Sequence, residues 1–179
     1  MKARVIEVGN IQIAKEQIWC YELGNGENLV KLPVENGEWS ISVLQTSEDS
    51  ALFGKKNIAV MFVHEHFPFD LETCIDNFYN GREVMDANDW VHIEETLSID
   101  TGSAVFCNDE RKLFDVYNVN NDEIPELSLS FKEEGIETMT GFGDGKYTLY
   151  DFMKTKENQY YPMMVIADYM IFSDSITLV

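Results

Sequence analysis

Runs of β-branched, aromatic and methionine side chains fill both ends of this sequence and leave little room there for anything but sheet. The densest, YYPMMVIADYMIF over 160–172, is apolar at nearly every position, the pattern of a strand buried on both faces. KYTLYDFM, 146–153, is a second strand candidate just before it. At the other end ARVIEV, NIQI and QIWCYEL are short β-type runs. LVKLPVENGEWSISVL sets Asn36-Gly37 between two more, and a tight hairpin is predicted there because the pair supplies positive φ angles. KNIAVMFVHEHF alternates, which predicts Ile58, Val60, Phe62, His64 and His66 on one strand face and Ala59, Met61, Val63 and Glu65 on the other.

Helical signals are confined to the middle. Asp70 is placed to cap a helix after Pro68, and Leu71, Cys74, Ile75 and Phe78 recur at i, i+3, i+4 and i+7, a single apolar stripe that stops near Gly81. A second short helix is predicted from Asp109, with Leu113, Phe114 and Tyr117 inward. No repeat, low-complexity tract or Pro/Gly/Ser-rich linker divides the chain, and 179 residues suit one core. The expectation is a single β-dominated α+β domain over 1–179. Its sheet is mostly antiparallel, a sandwich or partly open barrel, with one or two short helices.

Charge narrows the partners. The formal net charge is −19, and residues 61–130 hold 16 of the 32 acidic side chains against 3 of the 13 basic ones. Such a field disfavours direct binding to nucleic-acid phosphates or anionic lipid and points to a basic protein as partner. Three cysteines without a Cys-x-x-Cys pair argue against a disulfide framework or structural zinc and fit a reducing cytoplasm. No apolar run approaches the ~18 residues needed to span a bilayer, and no secretory segment is read at the start, so a soluble, cytoplasmic protein is expected. No cofactor is expected either, and oligomeric state is not legible.

Several stretches invite a catalytic or metal reading. SIDTGSAVF, 98–106, presents Asp100 in the Asp-Thr-Gly-Ser form of an aspartic protease, whose chemistry needs two carboxylates sharing a proton. The chain holds one such triplet, so that reading requires a homodimer; a glycine turn between strands explains the same letters. His64-Glu65-His66 offers two imidazoles to one ion, with a third ligand to be found among His92, Asp100 and Cys107. The segment 118–129 fails as a calcium loop, having Glu123 at the glycine position and Leu129 where a bidentate Glu is required. GFGDG, 141–145, lacks the Gly-Lys-Ser/Thr ending of a phosphate loop and reads as a turn into KYTLY. Cys20, Cys74 and Cys107 have no evident base beside them and read as small buried hydrophobes.

Taken together, SIDTGSAVF, GFGDGKYTLYDF and VIADYMIF resemble a bacterial domain-of-unknown-function family. Its members pair an Asp-x-Gly-Thr/Ser turn leading into a Phe with Gly-Asp-Gly-x-Tyr and a closing apolar strand containing Asp. The resemblance covers 98–172 through Asp100, Gly102, Ser103, Phe106, Gly143, Asp144, Gly145, Tyr147 and Asp168, and VGNIQI with LPVENGEWSISV is compatible with the family's first strands. It implies a β-rich bacterial domain without an established reaction, in which Asp-Thr-Gly is a family turn. Asp100, Asp144 and Asp168 are then the carboxylates to follow, as turn caps or as a cluster. The functional expectation is a non-enzymatic acidic module that binds or neutralises a basic partner, as immunity proteins and nucleic-acid mimics do. The alternative is a hydrolase, either a dimeric aspartic type through Asp100 or a metal-dependent one through His64 and His66.

Overall fold

The strands of the computed structural model sort into two packed sheets because their alternate side chains share one interior. The structure describes residues 1–22, 29–47, 55–68, 70–80, 90–108, 123–124, 129–141, 143–156, 159–170 and 175–179. In chain order the elements are β1 (Lys2–Ile13), β2 (Gln17–Glu22), β3 (Val30–Pro33), β4 (Gly37–Thr46), β5 (Asn57–His64) and α1 (Leu71–Asn80). They continue with β6 (Trp90–Ile99), β7 (Ser103–Cys107), β8 (Glu123–Ile124), β9 (Leu129–Lys132), β10 (Gly135–Met139), β11 (Gly145–Lys156), β12 (Gln159–Asp168) and β13 (Thr177–Leu178). One sheet has seven strands in the order β13-β1-β4-β5-β12-β11-β6, the other six in the order β3-β2-β7-β10-β9-β8. Every pairing is antiparallel except β1 with β13. The result is β-dominated α+β, two sheets face to face with no closed barrel.

The interior between the sheets takes Ile18, Cys20 and Leu32 from one side and Trp39, Ile41, Val60, Phe62, Leu149 and Val165 from the other. The opposite face of the seven-stranded sheet is covered by α1. Cys74 and Ile75 sit buried on Leu44, Ala59, Met61, Met164 and Ile166, with Leu71 and Phe78 beside them. β5 and β12 are therefore apolar on both faces, as the density of VIAD and its neighbours predicts. Asp70 caps the helix as expected, its Oδ2 accepting from the Thr73 amide and the Thr73 hydroxyl, each at 2.8 Å. ARVIEV and NIQI prove to be one strand, broken only by a register shift between Glu7 and Gly9. A Cβ on Gly9 would lie 2.5 Å from the Phe131 ring, so glycine there lets β1 close onto β9 of the facing sheet.

One element departs from expectation. Asn36-Gly37 is not a hairpin turn: β3 pairs with β2 in the six-stranded sheet, whereas β4 pairs with β1 and β5 in the seven-stranded one. The segment carries the chain from one sheet to the other, and Gly37, at φ 146°, is required because a Cβ would run into His64 Nε2. Local turn chemistry was legible, but the strands on either side found longer-range partners. The helix predicted from Asp109 lies outside the described residues, as do 118–122 and 125–128.

Candidate functional site

The chain crosses between sheets at both ends of the sandwich, and the sequence motifs turn out to be these crossings. Asp100-Thr101-Gly102 takes it from β6 to β7, and 140–144 takes it from β10 back to β11. The two turns abut: a Cβ on Gly102 would lie 3.7 Å from Gly143 Cα and 4.0 Å from Asp144 Oδ1. Both glycines hold positive φ, 72° at Gly102 and 84° at Gly143, which explains their residue type. The turns are joined through Thr140. Its amide donates to Gly102 O at 2.8 Å, and its hydroxyl faces Gly143 O at 2.6 Å and Gly102 O at 3.1 Å. The Tyr147 hydroxyl adds a 2.5 Å bond to Gly143 O.

Of the three carboxylates followed from the sequence, the structure brings two to this corner. Asp100 and Asp144 are both exposed on the abutting turns. Asp168 lies on the other face of the seven-stranded sheet: its neighbours Ala167 and Tyr169 enter the interior, so alternation turns Asp168 toward α1. There its Oδ1 accepts from Tyr79 Oη at 3.1 Å and from the Met170 amide at 3.0 Å, and burial raises its proton affinity above that of an ordinary aspartate. Burial also pushes the Tyr79 hydroxyl up, with the Asp168 charge adding to it.

The corner's third carboxylate is one the motif search passed over. Glu22, fully buried at the end of β2, accepts the Asp100 amide on Oε1, and its Oε2 is buried without a hydrogen-bond partner among the described residues. The signal was present in QIWCYEL, because Glu22 shares a strand face with Ile18 and Cys20 and is drawn inward by the same alternation. Deeper in, Cys20, Asp151, Tyr147 and Tyr169 sense one another across the interior. Burial raises the Cys20 thiol, with Cys107 and Asp151 reinforcing it. Burial likewise raises the Tyr169 hydroxyl, with Cys20 and Tyr147 reinforcing it. All three cysteines are buried free thiols, and Cys74 is pushed up to about 11 by burial.

His64 and His66 stand at the opposite end of β5 from this corner. The strand stops at His64 and the chain turns, the Phe67 amide bonding His64 O at 2.8 Å, so His66 does not continue the strand face. His64 is buried with both ring nitrogens occupied: Nδ1 accepts from the His66 amide at 3.1 Å, and Nε2 stands 3.1 Å from the Asn36 carbonyl. These partners assign the neutral Nε2–H tautomer, an imidazole with no lone pair left for an ion. Its ring is packed edge-on to Trp39 at 5.2 Å. His66 is exposed. Cys107 is buried with Trp19, Tyr21 and Val105 on the outer face of the six-stranded sheet, and the His92 side chain lies outside the described residues. Among the described residues no three His, Cys, Asp or Glu side chains are grouped to hold a metal, and no helix is long and apolar enough to cross a membrane.

The end that holds His64 is acidic. The backbone at Glu16, Glu35, Glu38 and Glu65 is held there by hydrogen bonds: the Glu16 amide to Asn36 Oδ1 at 2.8 Å, Trp39 Nε1 to Glu35 O at 2.9 Å, the Glu65 amide to Glu38 O at 2.9 Å, and the Glu38 amide to Glu65 Oε1 at 3.3 Å. Glu16, Glu38 and Glu65 are exposed and Glu35 half-buried, with Lys15 on the same turn. Comparison with protein-family models, with curated proteins and with solved structures gives no match to this chain.

Proposed function

We propose that this chain is a non-enzymatic protein-binding module whose acidic surface engages a basic protein, in the manner of immunity proteins and nucleic-acid mimics. The observation that carries the reading is the acidic end formed by Glu16, Glu35, Glu38 and Glu65, whose backbone is fixed by the bonds described above while three of the four side chains stay exposed. A pre-ordered cluster of charge speeds encounter with a cation-rich surface and selects against anionic ones. Two features that first suggest a hydrolase also serve the fold. His64 has both nitrogens bonded to backbone, and the Asp-Thr-Gly turn is a sheet-to-sheet corner. The family resemblance and the buried free thiols fit a bacterial cytoplasmic setting.

The test is capture at low ionic strength from a bacterial lysate by the immobilised chain, beside a variant with Glu16→Lys, Glu38→Lys and Glu65→Lys. The reading expects one basic protein, retained by the parent chain, released by added salt and lost by the variant. Recovery of the same proteins on both columns, or of no basic protein, defeats it.

A further inference from the structure

We infer, resting on the binding-module reading, that the nook where α1 meets β11 and β12, built from Asp168, Tyr79, Phe78 and Tyr150, receives an arginine side chain of the basic partner. Both hydrogen bonds of Asp168 fall on Oδ1, from Tyr79 and Met170, and among the described residues no ammonium or guanidinium stands against the carboxylate. A half-buried carboxylate without a cation has already lost much of its water, so a cation that reaches it forms a pair whose desolvation cost is partly borne by the fold.

The surroundings select the kind of cation. Phe78 stands edge-on to Tyr79, centroids 4.8 Å apart at 89°, and to Tyr150, 4.9 Å apart at 75°. In register Thr148 faces Asp168 and Tyr150 faces Ile166, which sets Tyr150 diagonal to Asp168 on the helix side of the sheet. Phe78, Tyr79 and Tyr150 are each half-buried residues, so none is sealed in the core. A guanidinium suits both components, since its plane stacks on an aromatic face and its N–H fork pairs with the unused carboxylate oxygen. A lysine ammonium matches only the charge.

The full chain is titrated calorimetrically at low ionic strength with a short oligoarginine peptide and an oligolysine peptide of equal length. The arginine peptide is expected to bind more tightly. Asp168→Asn preserves both acceptor bonds, and with them the melting temperature, yet should weaken the arginine peptide about tenfold. Tyr150→Leu, which keeps apolar bulk, should weaken it as well, whereas Glu133→Lys, exposed on the turn between β9 and β10, should leave the preference for arginine over lysine intact. Unchanged affinity in Asp168→Asn, or equal affinity for the two peptides, overturns the inference; should Asp168→Asn lose structure, unchanged affinity in Tyr150→Leu overturns it instead. Because capture of the partner is read from substitutions at the other end of the sandwich, loss of the nook and loss of the module give different results.

Discussion

If the Asp-Thr-Gly and Gly-Asp-Gly turns are a structural corner, the Gly143 carbonyl is the joint that holds them, and its two donors must be energetically coupled. It receives the Thr140 hydroxyl at 2.6 Å and the Tyr147 hydroxyl at 2.5 Å. Thr140→Val removes the first without changing shape; Gly102 O, which shares that hydroxyl, keeps the Thr140 amide at 2.8 Å. Tyr147→Phe removes the second and leaves the buried ring in place. Each single change deletes one hydrogen bond while Gly143 O retains the other donor, so each should cost about 1 kcal/mol. The double variant leaves the carbonyl with neither. Gly143 is only half-buried, so the added penalty sits at the low end of the range for an unsatisfied group, about 1 kcal/mol beyond the sum. The total, about 3 kcal/mol, corresponds to a drop in melting temperature of roughly 6–12 °C for a chain of this size. Urea unfolding of the four proteins measures the cycle, and Thr140→Ser, which keeps the hydroxyl, is the control. Additive single effects, or a single variant as stable as the parent, would refute the stapled-corner argument.

Zinc should not raise the thermal midpoint of the parent chain, because both His64 nitrogens are bonded, and His64→Ala should cost about 3 kcal/mol through lost hydrogen bonds and the gap left beside Trp39; a zinc-dependent midpoint shift that disappears in His66→Ala would show the opposite. Asp70→Ala should cost about 1 kcal/mol at neutral pH. The Thr73 amide, then the Thr73 hydroxyl, holds the Asp70 carboxyl below its ordinary range. The cap is therefore fully present above the unfolded pKa and fades as pH falls through the lowered folded one, and the gap between Asp70→Ala and parent should close in acid titrations followed by circular dichroism. Burial raises the Cys20 and Cys74 thiols, so native protein at mildly alkaline pH should resist iodoacetamide until denaturant is added. Mass spectrometry that finds either residue alkylated in the folded chain would contradict the packing.

What the sequence disclosed was periodicity and cap chemistry; what it concealed was which strands meet. The stripe of Leu71, Cys74, Ile75 and Phe78 and the cap at Asp70 needed only local geometry, and both stand in the structure. Asn36-Gly37 has the letters of a hairpin, yet β3 and β4 belong to different sheets, a choice made by β1 and β5 far along the chain. The same limit governed the carboxylates. Gly102 and Gly143 stand forty-one residues apart in sequence and in contact in space, while Asp168 was separated from them by one step of strand alternation, the step that turns Tyr169 inward and its neighbour outward. His66 lies two residues past the end of β5, its ring edge-on to that of His64 with centroids 5.3 Å apart, an end point no alternation pattern marks.

Glu22 is the sharpest test of whether this corner only holds sheets together. Its Oε1 accepts the Asp100 amide, and its Oε2 is buried with no hydrogen-bond partner among the described residues, an expensive arrangement for a carboxylate. Glu22→Gln retains an acceptor for the Asp100 amide and removes the buried charge, so a purely structural corner should become no less stable than the parent. Glu22→Ala takes away the acceptor and leaves a cavity, which should cost about 2–4 kcal/mol. Chemical denaturation orders the three proteins. Should Gln prove as damaging as Ala, the second oxygen must be meeting a bound group that the stapled-corner account does not include, and the turn between β6 and β7 would have to be read as a binding site.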